Sequence, residues 1–176
     1  MNNIDEKILC DNSYYDENKK EFTEIKWGEN IEINNYNDIK FKDLKLKSKY
    51  QKEVDNITEK FKDYDTVAVH IRQSDYRYWN DGKYFFEYKE YLNICKEKIK
   101  EWNIEKYKIL IFSDEKQQTT DKDIIIVGDL TDYVAPIDMH IMADCNYFIC
   151  TWSTFSSLAR HISESAGKFK KCFILE

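Results

Sequence analysis

His70, Arg72 and Asp75 close the run Val67-Ala68-Val69-His70-Ile71-Arg72-Gln73-Ser74-Asp75-Tyr76, falling at i, i+2 and i+5. An alternating apolar run that ends in polar residues reads as a buried strand delivering its last side chains to a cleft, where α/β proteins bind ligands. Arg72 offers a planar, permanently charged fork suited to a phosphate, and His70 shares its side of the strand two residues earlier. The same spacing also serves a surface ion pair between Arg72 and Asp75 behind a core strand, and this segment alone does not separate the two readings.

Two further segments carry chemistry. The apolar run Cys145-Asn146-Tyr147-Phe148-Ile149-Cys150-Thr151-Trp152 leads into Ser153 and Thr154, after which Phe155, Leu158, Ala159 and Ile162 fall at helical spacing. A strand-to-helix turn of this kind presents free backbone N–H groups, the positive end of a helix dipole and two hydroxyls, which together suit a phosphate. It also suits an ordinary N-cap. Between these segments, the strand Tyr107-Lys108-Ile109-Leu110-Ile111-Phe112 runs into Ser113-Asp114-Glu115. An acidic residue at a strand's carboxyl end binds a ribose hydroxyl or the N–H edge of a base in nucleotide folds. Ser113 or Asp114 serves equally as a helix cap.

The elements that must position these groups alternate. Tyr50, Val54, Ile57 and Phe61 predict a helix ahead of the Val67 strand. A second helix spans 84–102 through Tyr88, Leu92, Cys95 and Ile99, and Ile124-Ile125-Ile126-Val127 makes a strand that ends at Gly128. Pro136 opens a helix with Asp138 in its first turn. The strand at 146–150, its helix and a last strand at Cys172-Phe173-Ile174-Leu175 complete the set. Strands separated by helices predict an α/β fold with a Rossmann-like, mostly parallel sheet flanked by helices. Residues 48–176 form that domain, and residues 1–47, rich in Asn, Asp, Glu and Tyr with β-prone Ile31-Glu32-Ile33, carry no assigned fold.

Composition bounds the function classes. A length of 176 residues with 15% aromatics fits one domain with a sizeable core, in spite of 34% charged residues. The sequence has no apolar run near the roughly 20 residues a membrane span needs, and its start lacks a signal-peptide pattern. Five cysteines without a CxxC pair, mostly in apolar segments, predict reduced core residues and a cytoplasmic protein. A net charge of −6 with pI near 5.2 argues against a nucleic-acid platform. His70, His140 and His161 lack ligand spacing, so no metal site is expected. The two DxD patterns, at 63–65 and 121–123, precede strands and read as turns. Trp79, Tyr84, Phe85 and Phe86 could line an acceptor cleft, although aromatics at a helix start more often join the core.

In this order and spacing the three segments resemble the fucosyltransferase superfamily, whose first motif is HxRRxD. Here it reads His70-Ile71-Arg72-Gln73-Ser74-Asp75, with Gln73 in place of the second arginine. The second motif, a strand ending in Ser or Thr and then acidic residues, is similar to Ile111-Phe112-Ser113-Asp114-Glu115. The third is similar to Asp138 through Ser156. The resemblance implies the donor-binding half of a GT-B glycosyltransferase, with GDP-fucose as donor, a glycan hydroxyl as acceptor, and inverting transfer without a metal or other cofactor. In that reading Arg72 neutralises the leaving diphosphate and Ser153, Thr154 and the Phe155 amide hold the phosphates. His70 and Asp114 contact the nucleoside, and Gln73 lies beside the diphosphate. Asp75 acts as base or acceptor contact, or only orients Arg72. The resemblance further implies a second α/β domain ahead of the motif, where this sequence has only residues 1–69. The alternative is a non-catalytic nucleotide-sugar-binding module, or one that relies on a partner subunit or on a second copy of the chain.

Overall fold

The computed structural model describes residues 13–16, 21–24 and 46–176. Strands β1 (Ser13–Asp16) and β2 (Glu21–Glu24) pair antiparallel. The rest builds around a five-stranded parallel sheet made of β3 (Asp65–Ile71), β4 (Tyr107–Ser113), β5 (Ile124–Ile126), β6 (Tyr147–Cys150) and β7 (Lys171–Ile174), in the order β5-β4-β3-β6-β7. Helices α1 (Ser48–Thr58), α2 (Tyr88–Glu101), α3 (Gly128–Thr131), α4 (Ala135–Ala143) and α5 (Thr154–Ser165) flank it. Ile31-Glu32-Ile33 and Cys10 lie outside the described residues. The Rossmann-like α/β expectation thus holds.

The register explains both faces. β3 sits at the centre, with Val67 opposite Ile109 of β4 on one flank and Tyr147 of β6 on the other. Because side chains alternate, Val67, Val69, Ile71, Ile109 and Ile111 point to one face, where they pack against Tyr91, Cys95 and Ile99 of α2. Ala68, Leu110, Phe112 and Phe148 point to the other, under α1, α4 and α5. Helix α4 is the middle of that layer, packing against both α1 and α5. It is buried on nearly every side, which its sequence matches by being apolar all round.

The crossovers step outward from β3 in opposite directions, to β4 and β5 through α2 on one face and to β6 and β7 through α4 and α5 on the other. Right-handed connections require this division. The strand order therefore reverses between β3 and β6, and a crevice opens at their carboxyl ends. Boundaries depart from the sequence expectation in two places. Helix α2 starts at Tyr88 instead of 84, because Glu87 and Glu90 form a reciprocal capping box there. The Phe61 end of the first helix tightens into a 3-10 turn at Glu59–Phe61.

Candidate functional site at the carboxyl end of the sheet

The two polar segments meet at that reversal. His70 and Ile71 end β3, and Cys150 lies opposite His70 in the neighbouring strand, so the turn Thr151–Ser153 stands beside Arg72. A cavity of about 350 Å³ opens there, walled by His70, Phe112, Asp138 and Phe155, with Arg72, Asp114 and Tyr133 at its margin. A second cavity of about 330 Å³ lies at the amino end of the sheet, around Lys62, Asn146 and Lys168. Its cations are already matched, Lys62 by Glu59 and Lys168 by Asp144. Only the first contains a buried polar atom left without a partner among the described residues, His70 Nδ1.

Electrostatics follow from burial. His70 is 6% exposed and stacks on the Phe155 ring, with centroids 5.3 Å apart. Burial pushes its pKa down to about 4, against the pull of Asp114. The imidazole is therefore neutral at neutral pH, with one nitrogen able to accept or donate to a ligand. Asp138, in the first turn of α4, accepts the Thr131 hydroxyl on Oδ1. Burial raises its carboxyl to about 6, partly offset by that hydrogen bond. Tyr133 reaches the cavity through two successive left-handed residues, Asp132 (φ 50°) and Tyr133 (φ 59°), with its ring laid over the bare backbone of Gly128.

Arg72 is held between two carboxylates. Its Nε donates to Asp75 Oδ1 at 2.8 Å and lies 3.3 Å from Asp114 Oδ2. Burial works against its charge, but the hydrogen bond to Asp75 and the field of Asp114 outweigh it and raise its pKa. The same hydrogen bond lowers the carboxyl of Asp75. Asp114 braces the loop after β3: it accepts the Gln73 N–H at 2.9 Å, the Ser74 N–H at 3.3 Å and the Ser74 hydroxyl. Gln73 turns away from the cavity, because the chain still alternates at this point. Its side chain is buried on the α2 side, donating to Phe86 O at 3.1 Å and accepting from Gln117 Nε2 at 2.8 Å.

At the other wall Ser153 caps α5. Its Oγ accepts the Phe155 N–H at 3.3 Å, so that amide is engaged within the helix start, and the Phe155 ring is what faces the cavity. The Thr154 hydroxyl stands exposed one residue into the helix. Of the residues singled out from sequence, the structure brings His70, Arg72, Asp114 and Phe155 together at one cavity, with Asp75 bonded to Arg72. Asp138 and Tyr133 are additions. The third motif contained Asp138, and its place in the first turn of a predicted helix was visible; the cavity it faces was not.

Fold and site together define a class, a Rossmann-like α/β protein with a crevice at the strand-order reversal. No family model and no curated protein matches the chain. Solved structures match it in fold, and they include a fucosyltransferase and POFUT1. POFUT1 in complex with GDP aligns with a TM-score of 0.50 at 13% identity, over 76% of this chain and 49% of its own. Fucosyltransferase NodZ from Bradyrhizobium aligns at 0.47 and 20% identity, over 68% of this chain and 43% of its own. The chain spans less than half the length of these structures.

Proposed function

We propose that the cavity is the donor site of a glycosyltransferase that takes GDP-fucose and passes fucose to a glycan hydroxyl with inversion and without a metal. The observation that carries this reading is the pairing of an unpartnered, neutral His70 with the buried Asp138 in a pocket whose mouth holds Arg72. Guanine offers adjacent N–H donors that a carboxylate accepts side by side, and Phe155 and Tyr133 supply ring surfaces for its faces. Arg72 at the mouth suits the diphosphate, and the hydroxyls of Ser153 and Thr154 at the start of α5 suit its remaining oxygens. The fold shared with a protein crystallised in complex with GDP supports the same choice.

In this mechanism an acceptor hydroxyl oxygen attacks C1 of fucose, and the sugar–phosphate bond breaks with its electron pair passing to the β-phosphate of GDP. Charge builds on the diphosphate as the bond lengthens, so the contact from Arg72 strengthens toward the transition state. The acceptor proton passes to Asp75, which its ion pair with Arg72 keeps ionised while lowering its basicity. A second reading, a nucleotide-sugar-binding module that needs a partner for turnover, is favoured by the two carboxylates already neutralising Arg72.

A thermal-shift series with GDP, GDP-fucose, GDP-mannose and UDP-glucose tests the donor reading. Ligand at 100 times its Kd stabilises by about 2.7 kcal/mol. GDP and GDP-fucose are expected to raise the melting temperature while UDP-glucose does not. No shift with any guanine nucleotide would remove the donor site. GDP release from GDP-fucose with a glycan acceptor separates the enzyme from the module.

A further inference from the structure

Tyr78, Trp79, Leu130, Tyr133 and Trp152 are the large apolar side chains that stand exposed among the described residues, and each lies on a segment leaving the carboxyl end of a sheet strand. Apolar exposure gathered at one end of a fold marks a binding surface. Within it is a ladder of rings. Trp79 contacts the rings of Tyr76 (centroids 5.2 Å apart, planes 33° apart) and Tyr84 (5.1 Å, planes 29° apart), yet remains 52% exposed.

This ladder is built into the loop. The N–H groups of Tyr78 and Trp79 both donate to Asp75 O, at 3.1 and 3.0 Å, and Arg77 N–H donates to Gln73 O at 3.1 Å. Asn80, Asp81 and Gly82 then take left-handed conformations in succession, with φ of 49°, 55° and 74°, reversing the chain so that Tyr84 returns against Trp79. Asn and Asp are the non-glycine residues best able to adopt that backbone. The Tyr76 hydroxyl donates to Trp152 O, joining the ladder to the turn ahead of α5. Asp75, bonded to Arg72 at the cavity mouth, lies one residue before Tyr76.

We propose that the Tyr76–Trp79–Tyr84 ladder is the acceptor platform, taking the apolar C–H face of a β-linked pyranose ring and presenting its free hydroxyl toward Asp75. The proposal rests on the donor reading of the adjoining cavity. Aromatic faces carry a negative quadrupole that attracts the weakly positive C–H bonds lining one side of such a sugar. The short polar side chains at the rim, Asp75, Asn80 and Asp81, suit hydroxyl groups along the ring edge. A stable protein partner would bury about 1,200–2,000 Å² in total around an apolar centre, far more than three rings provide.

Ligand-observed NMR titrations of chitotetraose, cellotetraose and N-acetyllactosamine into the full chain test it, beside calorimetric titration of GDP and sedimentation of the free protein. At least one saccharide is expected to bind, to weaken about tenfold in Trp79→Ala and to be retained in Trp79→Phe. GDP affinity should be equal in all three proteins. Absence of binding by every saccharide, or equal saccharide affinity in Trp79→Ala, overturns the platform. Self-association that Trp79→Ala abolishes, without saccharide binding, overturns it in favour of a protein interface. Saccharide binding that depends on Trp79 in a chain that does not bind GDP leaves the platform standing as a saccharide site and removes the donor reading alone.

Discussion

Position 73 shows how one side chain decides between a motif and its geometry. The resemblance places Gln73 beside a diphosphate, so that Gln73→Arg would restore a second guanidinium and tighten GDP binding. In the structure its amide is 4% exposed and bonded to Phe86 O and Gln117, on the face opposite the cavity. Gln73→Arg is therefore expected to bury a cation where a neutral amide now bonds Phe86 O and Gln117. Urea melts should show destabilisation of about 1–3 kcal/mol with no gain in GDP affinity; tighter GDP binding by this variant would mean that the loop reverses its alternation when ligand is present. Asp138 gives the complementary test. A carboxyl raised from 3.8 to about 6 binds its proton more readily folded than unfolded, so its share of stability is full below pH 3.8 and falls as pH rises through about 6. His70, lowered to about 4, runs the other way: its share is full above pH 6.5 and falls as pH drops toward 4. Asp138→Asn removes the first effect, and should stabilise the fold near pH 7.5 by up to about 3 kcal/mol, with little change near pH 4. It should weaken GDP binding at the same time. A stabilised variant with undiminished GDP affinity would exclude Asp138 from the base pocket. The roles of Gln73 and Asp138 were not readable in sequence, since each depends on what faces it across 13 or more positions of chain or across the cavity.

At the level of elements the sequence was more informative, because strands and helices are set by local periodicity. The runs at 67–71, 107–112 and 146–150 and the stripe Tyr88, Leu92, Cys95, Ile99 give their elements within a few residues, although it is Tyr91 that is buried beside Cys95 and Ile99. What periodicity omits is the joining of elements through side chains, such as Asp114 on β4's end holding the loop after β3 from 41 positions away. Gly128 is another case. A Cβ there would come within 2.3 Å of the Tyr133 ring. Alanine gains about 1 kcal/mol of helix propensity over glycine, and Tyr133 is exposed enough to swing aside. Gly128→Ala is thus expected to leave thermal stability nearly unchanged while displacing the ring from the cavity wall. Calorimetry should register weaker GDP binding, and an unchanged affinity would show that Tyr133 does not touch the nucleotide.

For the molecule as a whole, the alternation of strands and helices predicted the layered sheet, and the reversal of strand order then places the crevice between β3 and β6. If GDP binds there, hydrogen exchange should slow together at 70–75 and 151–155, which different crossovers carry, and remain unchanged at 63–65 and 144–146, at the sheet's other end. Protection confined to one of the two segments would contradict a ligand that spans the reversal. The same arrangement sets an order of assembly. During synthesis β3 can pair with β4 once residue 113 has emerged, but its other flank must wait for residues 147–150. At about 5–20 residues per second that interval lasts seconds. For those seconds the central strand presents an open row of N–H and C=O groups beside apolar side chains, the kind of edge on which nascent chains aggregate. The strand that carries the turn to the crevice, β6, thus also seals the strand most exposed to a nascent neighbour.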